Sequence, residues 1–185
     1  VSGADISQFE DQRKNAEQAE RDSAMSAGAR QKLASLDKPL IAMIRGYCLG
    51  GGLSVAMSAD IRIAAEDAQL GIPAARLGIA YGFESLEQLM NLVGPSYDKE
   101  ILFSARRFSA EEALRIGLVN RVVPVDELEG AVCELANTIA SNAPLSVKAT
   151  KMTVAEVLKD PATRNLEAVE QIVKTCFDSQ DYAEG

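Results

Sequence analysis

Histidine is absent from this 185-residue chain. Its absence excludes Ser-His-Asp and Cys-His catalysis and every zinc site that uses imidazole. Acid–base chemistry must then come from Asp, Glu, Lys, Tyr or Cys. Trp is absent as well and aromatic residues make up only 5%, so the core is expected to be Ala, Val, Leu and Ile. Cys48, Cys133 and Cys176 are odd in number and scattered, with no C-x-x-C pair. A reduced, cytoplasmic-type compartment follows as the simplest expectation. No apolar run is long enough to span a bilayer, so no membrane partner is expected. Val1-Ser2-Gly3 opens the sequence without Met and without the charged and apolar stretches of a signal peptide, which suggests a chain shortened at its start. Lys and Arg number 19 against 27 Asp and Glu, a formal net charge of −8. Such a balance does not suit a nucleic-acid-binding surface. A small anionic ligand stays open, because local backbone dipoles can outweigh global charge.

What is present is apolar enough for one compact unit with a helical extension, at 47% hydrophobic residues. Residues 9–36 are polar and read as an exposed helix or helical loop, broken at Asp37-Lys38-Pro39. Leu40 to Ile44 has strand length, and Gly46 to Gly52 reads as a turn. Leu53 to Ser58 suits a buried helix and Asp60 to Ala64 a strand. Ala68 to Pro73 is expected to be a further short strand. Glu84 to Leu92 has helical spacing, stopped by Gly94-Pro95, and Tyr97 to Phe103 follows as another helix. Ser109 and Glu112 form a capping box. That helix ends at Gly117, and Leu118 to Pro124 reads as a strand. From Asp126 onward the spacing is helical throughout. The expected organisation is an α/β core over 1–140 and a helical region over 141–185.

The glycine turn admits three readings. Strand, glycine-rich turn and buried helix together expose backbone N–H groups to a ligand. The same arrangement also serves as plain packing of a helix on a strand. A Walker loop is excluded because no Gly-Lys-Ser/Thr follows, and the dinucleotide G-x-G-x-x-G spacing is missing. Gly52-Leu53-Ser54-Val55-Ala56 is similar to the nucleophile elbow of a serine hydrolase. That chemistry needs a base for Ser54, and no His exists to serve.

Several segments in one order resemble the crotonase family, the enoyl-CoA hydratase/isomerase group. Gly3-Ala4-Asp5-Ile6 resembles its G-A-D-[IL] motif. Lys38-Pro39-Leu40-Ile41-Ala42, with Gly46 to Gly52 after it, resembles its K-P-[VLI]-I-A and triple-glycine signature. Ser58 to Ala64, Leu77-Gly78-Ile79, Phe108 to Leu114 and Gly117 to Pro124 match the segments that follow, so the likeness covers nearly the whole chain. The resemblance implies a crotonase-like (ClpP/crotonase) α/β spiral of β-β-α turns. It also implies a C-terminal helical region, 141–185, that builds a homotrimer or a hexamer as a dimer of trimers. It implies acyl-CoA or enoyl-CoA thioesters as substrates, with coenzyme A part of the substrate and no separate cofactor or metal. The likeness begins at the first motif and stops before the family's basic tail, so it implies a core shortened at both ends.

By motif position, the resemblance assigns the oxyanion hole to the backbone N–H groups of Ala4 and Gly51. Such donors stabilise a thioester enolate as charge develops on it. Asp5 and Ile6 sit where the family lines the path of the adenine and pantetheine, and Gly50 belongs to the same turn. Two positions depart from the pattern. The family's hydratases carry a glutamate two residues after the glycine turn, and here that residue is Ser54. They carry a second glutamate after the proline of Gln69-Leu70-Gly71-Ile72-Pro73, and here that residue is Ala74. The nearby acid is Glu84, on a loop that borders the acyl pocket by family analogy. It is expected either to act as acid or base or simply to favour the first turn of the helix it enters. Tyr81 and Tyr47 are pocket or packing residues, and Asp60 is expected to fix a turn. Three functions follow: an acyl-CoA enzyme with an altered acid–base set, a catalytically weak CoA-thioester-binding paralogue, and a serine hydrolase.

Overall fold

The computed structural model describes Gly3 and residues 16–184, with the backbone alone at 16–20, 22 and 23. Helix α1 (Ala16–Ala34) precedes β1 (Ile41–Ile44), β2 (Tyr47–Leu49) and α2 (Gly51–Met57). Then come β3 (Ile61–Ala65), β4 (Gln69–Gly71), a 3-10 turn (Pro73–Leu77) and α3 (Phe83–Ser104). Next are β5 (Phe108–Ser109), α4 (Ala110–Arg115) and β6 (Arg121–Val123). Helices α5 (Leu128–Ala140), α6 (Pro144–Leu158), α7 (Leu166–Phe177) and α8 (Gln180–Glu184) complete the chain. The described residues form two compact units, one of Gly3, 16–35 and 40–132, the other of 36–39 and 133–184. The boundary between them falls inside α5, between Val132 and Cys133. No helix among the described residues is long and apolar enough to cross a membrane.

In the first unit the chain winds as a spiral of β-β-α turns, with the strands of the described residues shared between two three-stranded sheets. One sheet runs β1-β3-β6, all parallel, with Ile41 opposite Ile61 and Ile63 opposite Arg121. The other runs β2-β4-β5, parallel between β2 and β4 and antiparallel between β4 and β5. Leu53, Ile63, Leu70, Leu89, Ile101 and Phe108 fill the space between the layers and are fully buried.

Polar groups set the registers. Asp60 accepts a 2.7 Å bond at Oδ2 from the N–H of Leu40, while its own N–H donates to the Leu40 carbonyl at 2.9 Å. The expected turn-fixing role of Asp60 is visible in that pair. Arg62 is only 3% exposed; burial lowers its guanidinium below the usual range and Asp60 opposes that. Its Nε donates to the Leu118 carbonyl at 2.9 Å and its Nη1 to the Ala59 carbonyl at 2.7 Å. Asn120 then accepts from the Arg62 N–H at 2.8 Å and donates its own N–H to the Arg62 carbonyl. The buried guanidinium thus has protein acceptors in place of water, as a buried charge requires.

The capping box is present as expected. Glu112 N–H donates to Ser109 Oγ at 3.1 Å, and Ser109 N–H donates to Glu112 Oε2 at 2.9 Å. Arg106 joins the same carboxylate at 3.0 Å and lies over the Phe108 ring. Gly94 stands at φ 74°, where α3 breaks before Pro95. Two expectations change. The stretch read as one turn from Gly46 to Gly52 contains a strand, β2, because Tyr47-Cys48-Leu49 finds a parallel partner in Gln69-Leu70-Gly71. The strand expected over 118–124 narrows to Arg121–Val123, with Leu118 and Val119 given to the core.

In the second unit α6 and α7 pack on each other, and Phe177 meets Tyr182 edge-on at 5.0 Å. Lys148 Nζ reaches Asp37 at 2.7 Å, and that ammonium holds the Asp37 carboxyl below its usual range. Val154, Val157, Leu158, Leu166 and Phe177 stay exposed on this unit.

Asp98, in the second half of α3, is 8% exposed, and its Oδ1 has no hydrogen-bond partner among the described residues. Burial raises its carboxyl above the usual range, with Lys99 opposing weakly. A carboxyl raised in the folded state burdens stability above its folded pKa and ceases to do so below the unfolded value of about 3.9. Asp98→Asn should therefore gain about 1 kcal/mol or more at neutral pH, and the gain should fade as pH drops through the folded pKa. Thermal melts of both proteins at several pH values check this. An equal or larger gain in acid would contradict it.

Candidate functional site

Strand β2 ends at Leu49, and the chain turns through Gly50 at φ 52°, ψ −120°. The Gly50 N–H donates to the Gly71 carbonyl at 2.8 Å, which ties the turn to the end of β4. Helix α2 starts at Gly51, and its first helical bond runs from Ser54 N–H to the Gly50 carbonyl at 3.0 Å. The N–H of Gly51 precedes that ladder, so helix geometry supplies it no acceptor. Gly51 is exposed, whereas Gly52, Leu53 and Ser54 behind it are buried.

Gly3 lies directly on this turn at φ 90°. A methyl group on it would stand 2.9 Å from the Leu49 carbonyl oxygen and 3.0 Å from the Gly51 nitrogen. The first motif and the glycine turn, far apart in sequence, are thereby brought together. Ala4, Asp5 and Ile6 lie outside the described residues. On the other side, Pro73 Cδ would be 3.9 Å from a methyl group on Gly50. The Pro73–Ala74 segment therefore borders the same turn.

The side chains around it are mostly packed. Ser54 is 5% exposed and its hydroxyl donates back to the Gly50 carbonyl at 3.3 Å. Ala74 is buried in the core, and its carbonyl accepts from the Ile79 N–H at 3.0 Å. Burial pushes the Cys48 thiol up, which keeps it protonated and unsuited to nucleophilic attack. Tyr81 is half-buried against the core, and Tyr47 is exposed with Arg107 over its ring at 4.9 Å. Among the described residues no three His, Cys, Asp or Glu side chains gather where a metal ion could bind.

Glu84 is exposed in the first turn of α3, a helix whose N-cap, Gly82, offers no side-chain cap. A negative charge there favours the helix start. Glu84 also lines a cleft of about 700 Å³, shared with Ser58, Ser85 and the small face of α1 at Ala24, Ala27 and Gly28. Gln88 lines it too, its Nε2 donating to the Met57 carbonyl at 2.9 Å. Gln88 lies one helical turn beyond Glu84, so α3 periodicity would have placed it in the sequence reading. The α1 residues carried no such signal, because their position depends on how α1 lies against α3.

The Enoyl-CoA hydratase/isomerase family profile matches residues 1–185. A short-chain-enoyl-CoA hydratase of Clostridium acetobutylicum is 39% identical over 181 residues, covering 98% of this chain and 69% of that protein. A crotonyl-CoA hydratase of Syntrophomonas wolfei subsp. wolfei is 37% identical over 185 residues, covering 100% of this chain and 70% of that protein. The crystal structure of an enoyl-CoA hydratase/carnithine racemase from Magnetospirillum magneticum superimposes with a TM-score of 0.93 at 36% identity. That match covers 100% of this chain and 68% of the other.

The close approach at Gly3 is testable by itself. Gly3→Ala should destabilise the chain by roughly 1–3 kcal/mol, because it combines a left-handed φ with a clash against backbone atoms. Gly130→Ala, in α5 with nothing within 4 Å of the new methyl group, should instead stabilise by about 0.5–1 kcal/mol. Denaturant midpoints of the two variants check the contrast. Equal effects would remove Gly3 from the turn.

Proposed function

This chain belongs to the enoyl-CoA hydratase/isomerase family, and from that premise we propose that it binds an acyl-CoA thioester at the Gly50–Gly51 turn. The thioester carbonyl oxygen is held between the N–H groups of Ala4 and Gly51, which stabilise the enolate that forms when the α-carbon loses a proton. Coenzyme A is part of the substrate, and Asp5, Ile6 and Gly50 border it while Tyr81 walls the acyl side. The observation that carries this reading is the seating of Gly3 on Gly51: the residue after Gly3 is Ala4, so the two donors assigned by motif start from adjoining backbone.

Hydration needs one group to activate water and another to deliver a proton. Ser54 and Ala74 stand at both positions where the family's hydratases carry glutamate, and neither supplies an acid or a base. Ser54 turns its hydroxyl back onto the helix, which also speaks against the serine hydrolase reading. Glu84 remains as the carboxylate that walls the cleft. One carboxylate suffices to take a proton from the α-carbon of a β,γ-enoyl thioester and return it to the γ-carbon, moving the double bond without water. The proposed chemistry is therefore isomerase-type, with Glu84 as the single base. A second reading, a CoA-thioester-binding paralogue with weak catalysis, draws on the exposure of Glu84.

Crotonyl-CoA hydration should run about 10²–10⁴-fold slower than in relatives with both glutamates. Glu84→Gln should abolish α-proton exchange of a bound acyl-CoA in heavy water, measured by NMR. Unchanged exchange would remove Glu84 from the reaction and leave the binding reading ahead.

The exposed Val154, Val157, Leu158, Leu166 and Phe177 on the helical unit are more apolar surface than an isolated small unit leaves in water. They support a homotrimer or a dimer of trimers. Sedimentation at micromolar concentration should give one of these masses, and a stable monomer would contradict it.

A further inference from the structure

Helix α2 ends with four carbonyls, Ser54 to Met57, that no later turn of the helix can answer. Three are answered by the residues that follow at once. The Ser54 carbonyl accepts from the Ser58 hydroxyl at 3.2 Å, Val55 from the Ser58 N–H at 3.1 Å, and Ala56 from the Ala59 N–H at 3.2 Å. The Met57 carbonyl is answered from another helix. Gln88 of α3 donates to it from Nε2 at 2.9 Å. One side-chain bond thus joins α3 to the helix that begins at Gly51.

The start of α3 has little else of a directional kind to hold it. Gly82 offers no side-chain cap, and the N–H groups of Ser85 and Leu86 share its carbonyl at 3.2 Å each. Phe83 is 79% exposed and anchors nothing. No side chain among the described residues holds the Glu84 carboxylate. Its place therefore follows from how the first two turns of α3 lie against α2. Leu89 is 1% exposed and secures those turns by burial. Apolar burial has no direction, so it leaves rotation and slide of the helix open. A hydrogen bond at 2.9 Å limits both. Gln88 follows Glu84 by four residues, which places the two on one helix face, and both line the same cleft.

We propose that Gln88 is a positioning residue: its bond to the last carbonyl of α2 sets where Glu84 stands relative to the helix that carries the Gly51 donor. This rests on the reaction proposed above, with Glu84 as the single base. Gln88 itself touches neither the thioester nor the transferred proton. It acts through the register of α3 on α2, and a base displaced by about 1 Å loses on the order of 10²-fold in rate.

The test measures α-proton exchange of acyl-CoA in heavy water over a range of thioester concentrations. It compares the wild-type chain with Gln88→Met, which has similar length and no donor, with Gln88→Asn, and with Glu84→Gln. Gln88→Met should lower kcat about 10- to 100-fold and leave KM nearly unmoved, because the thioester is held by backbone groups that Gln88 does not touch. Gln88→Asn keeps the amide on an arm one methylene shorter and should fall between, and it supplies the reading if Gln88→Met does not fold. Melting curves establish which variants are folded. A merely structural bond would lower the melting temperature and leave the kcat of the folded variant alone. That outcome, or a loss carried by KM, would overturn the inference while a loss in Glu84→Gln keeps the proposed reaction standing. Exchange that Glu84→Gln does not reduce would overturn that reaction, and this inference with it.

Discussion

The Gly50 N–H donates to the Gly71 carbonyl across 2.8 Å, and on either side of that bond, at Gly71 and at Gly3, the backbone leaves no room for a side chain. Beside Gly71, the Arg106 carbonyl oxygen approaches to where a methyl group would lie only 2.6 Å away. Beyond Gly50, Gly3 rests on Leu49 and Gly51 with similar closeness. Close approach of this kind is what glycine permits. It brings the first motif, the triple-glycine turn and the end of β4 into one place. Helix α2 starts at that turn, with Gly51 exposed and Gly52, Leu53 and Ser54 behind it buried.

A site built on backbone donors tolerates change in its side chains. The donors proposed at Gly51 and Ala4 are main-chain groups, independent of what occupies positions 54 and 74. Here those positions hold a buried Ser54 and a buried Ala74, both packed into the core. A carboxylate in either place would need partners that this packing does not offer. In the proposed function, enolate stabilisation and proton transfer are separable: the first is assigned to the backbone and the second to Glu84. Glu84 lines the cleft from α3 and Arg30 from α1.

Local chemistry made much of the fold legible in the amino-acid sequence. Ser109 and Glu112 announce their helix because both halves of a capping box lie within four residues. Gly94-Pro95 breaks α3 where it should, and Asp60 ties β3 to Leu40. Tyr47-Cys48-Leu49 escaped notice as a strand, since three residues between glycines show no alternation and the pairing partner is 22 positions away at Gln69. Arg62 was legible only as part of the strand over Asp60 to Ala64. Its burial depends on the carbonyls of Ala59 and Leu118 converging on one guanidinium, which only the folded chain arranges. The site divides in the same way. Gly51 and Ala74 could be placed by motif, whereas Arg30 belongs to a polar segment whose place on the cleft appears only in the folded chain.

The central claim is that backbone N–H groups at the glycine turn polarise a thioester carbonyl. Vibrational difference spectroscopy of bound acyl-CoA, with ¹³C at the thioester carbonyl, measures this directly. Polarisation by two donors should lower the carbonyl stretching frequency well below that of the free thioester in water. A bound thioester whose carbonyl frequency equals the value in water would contradict the account.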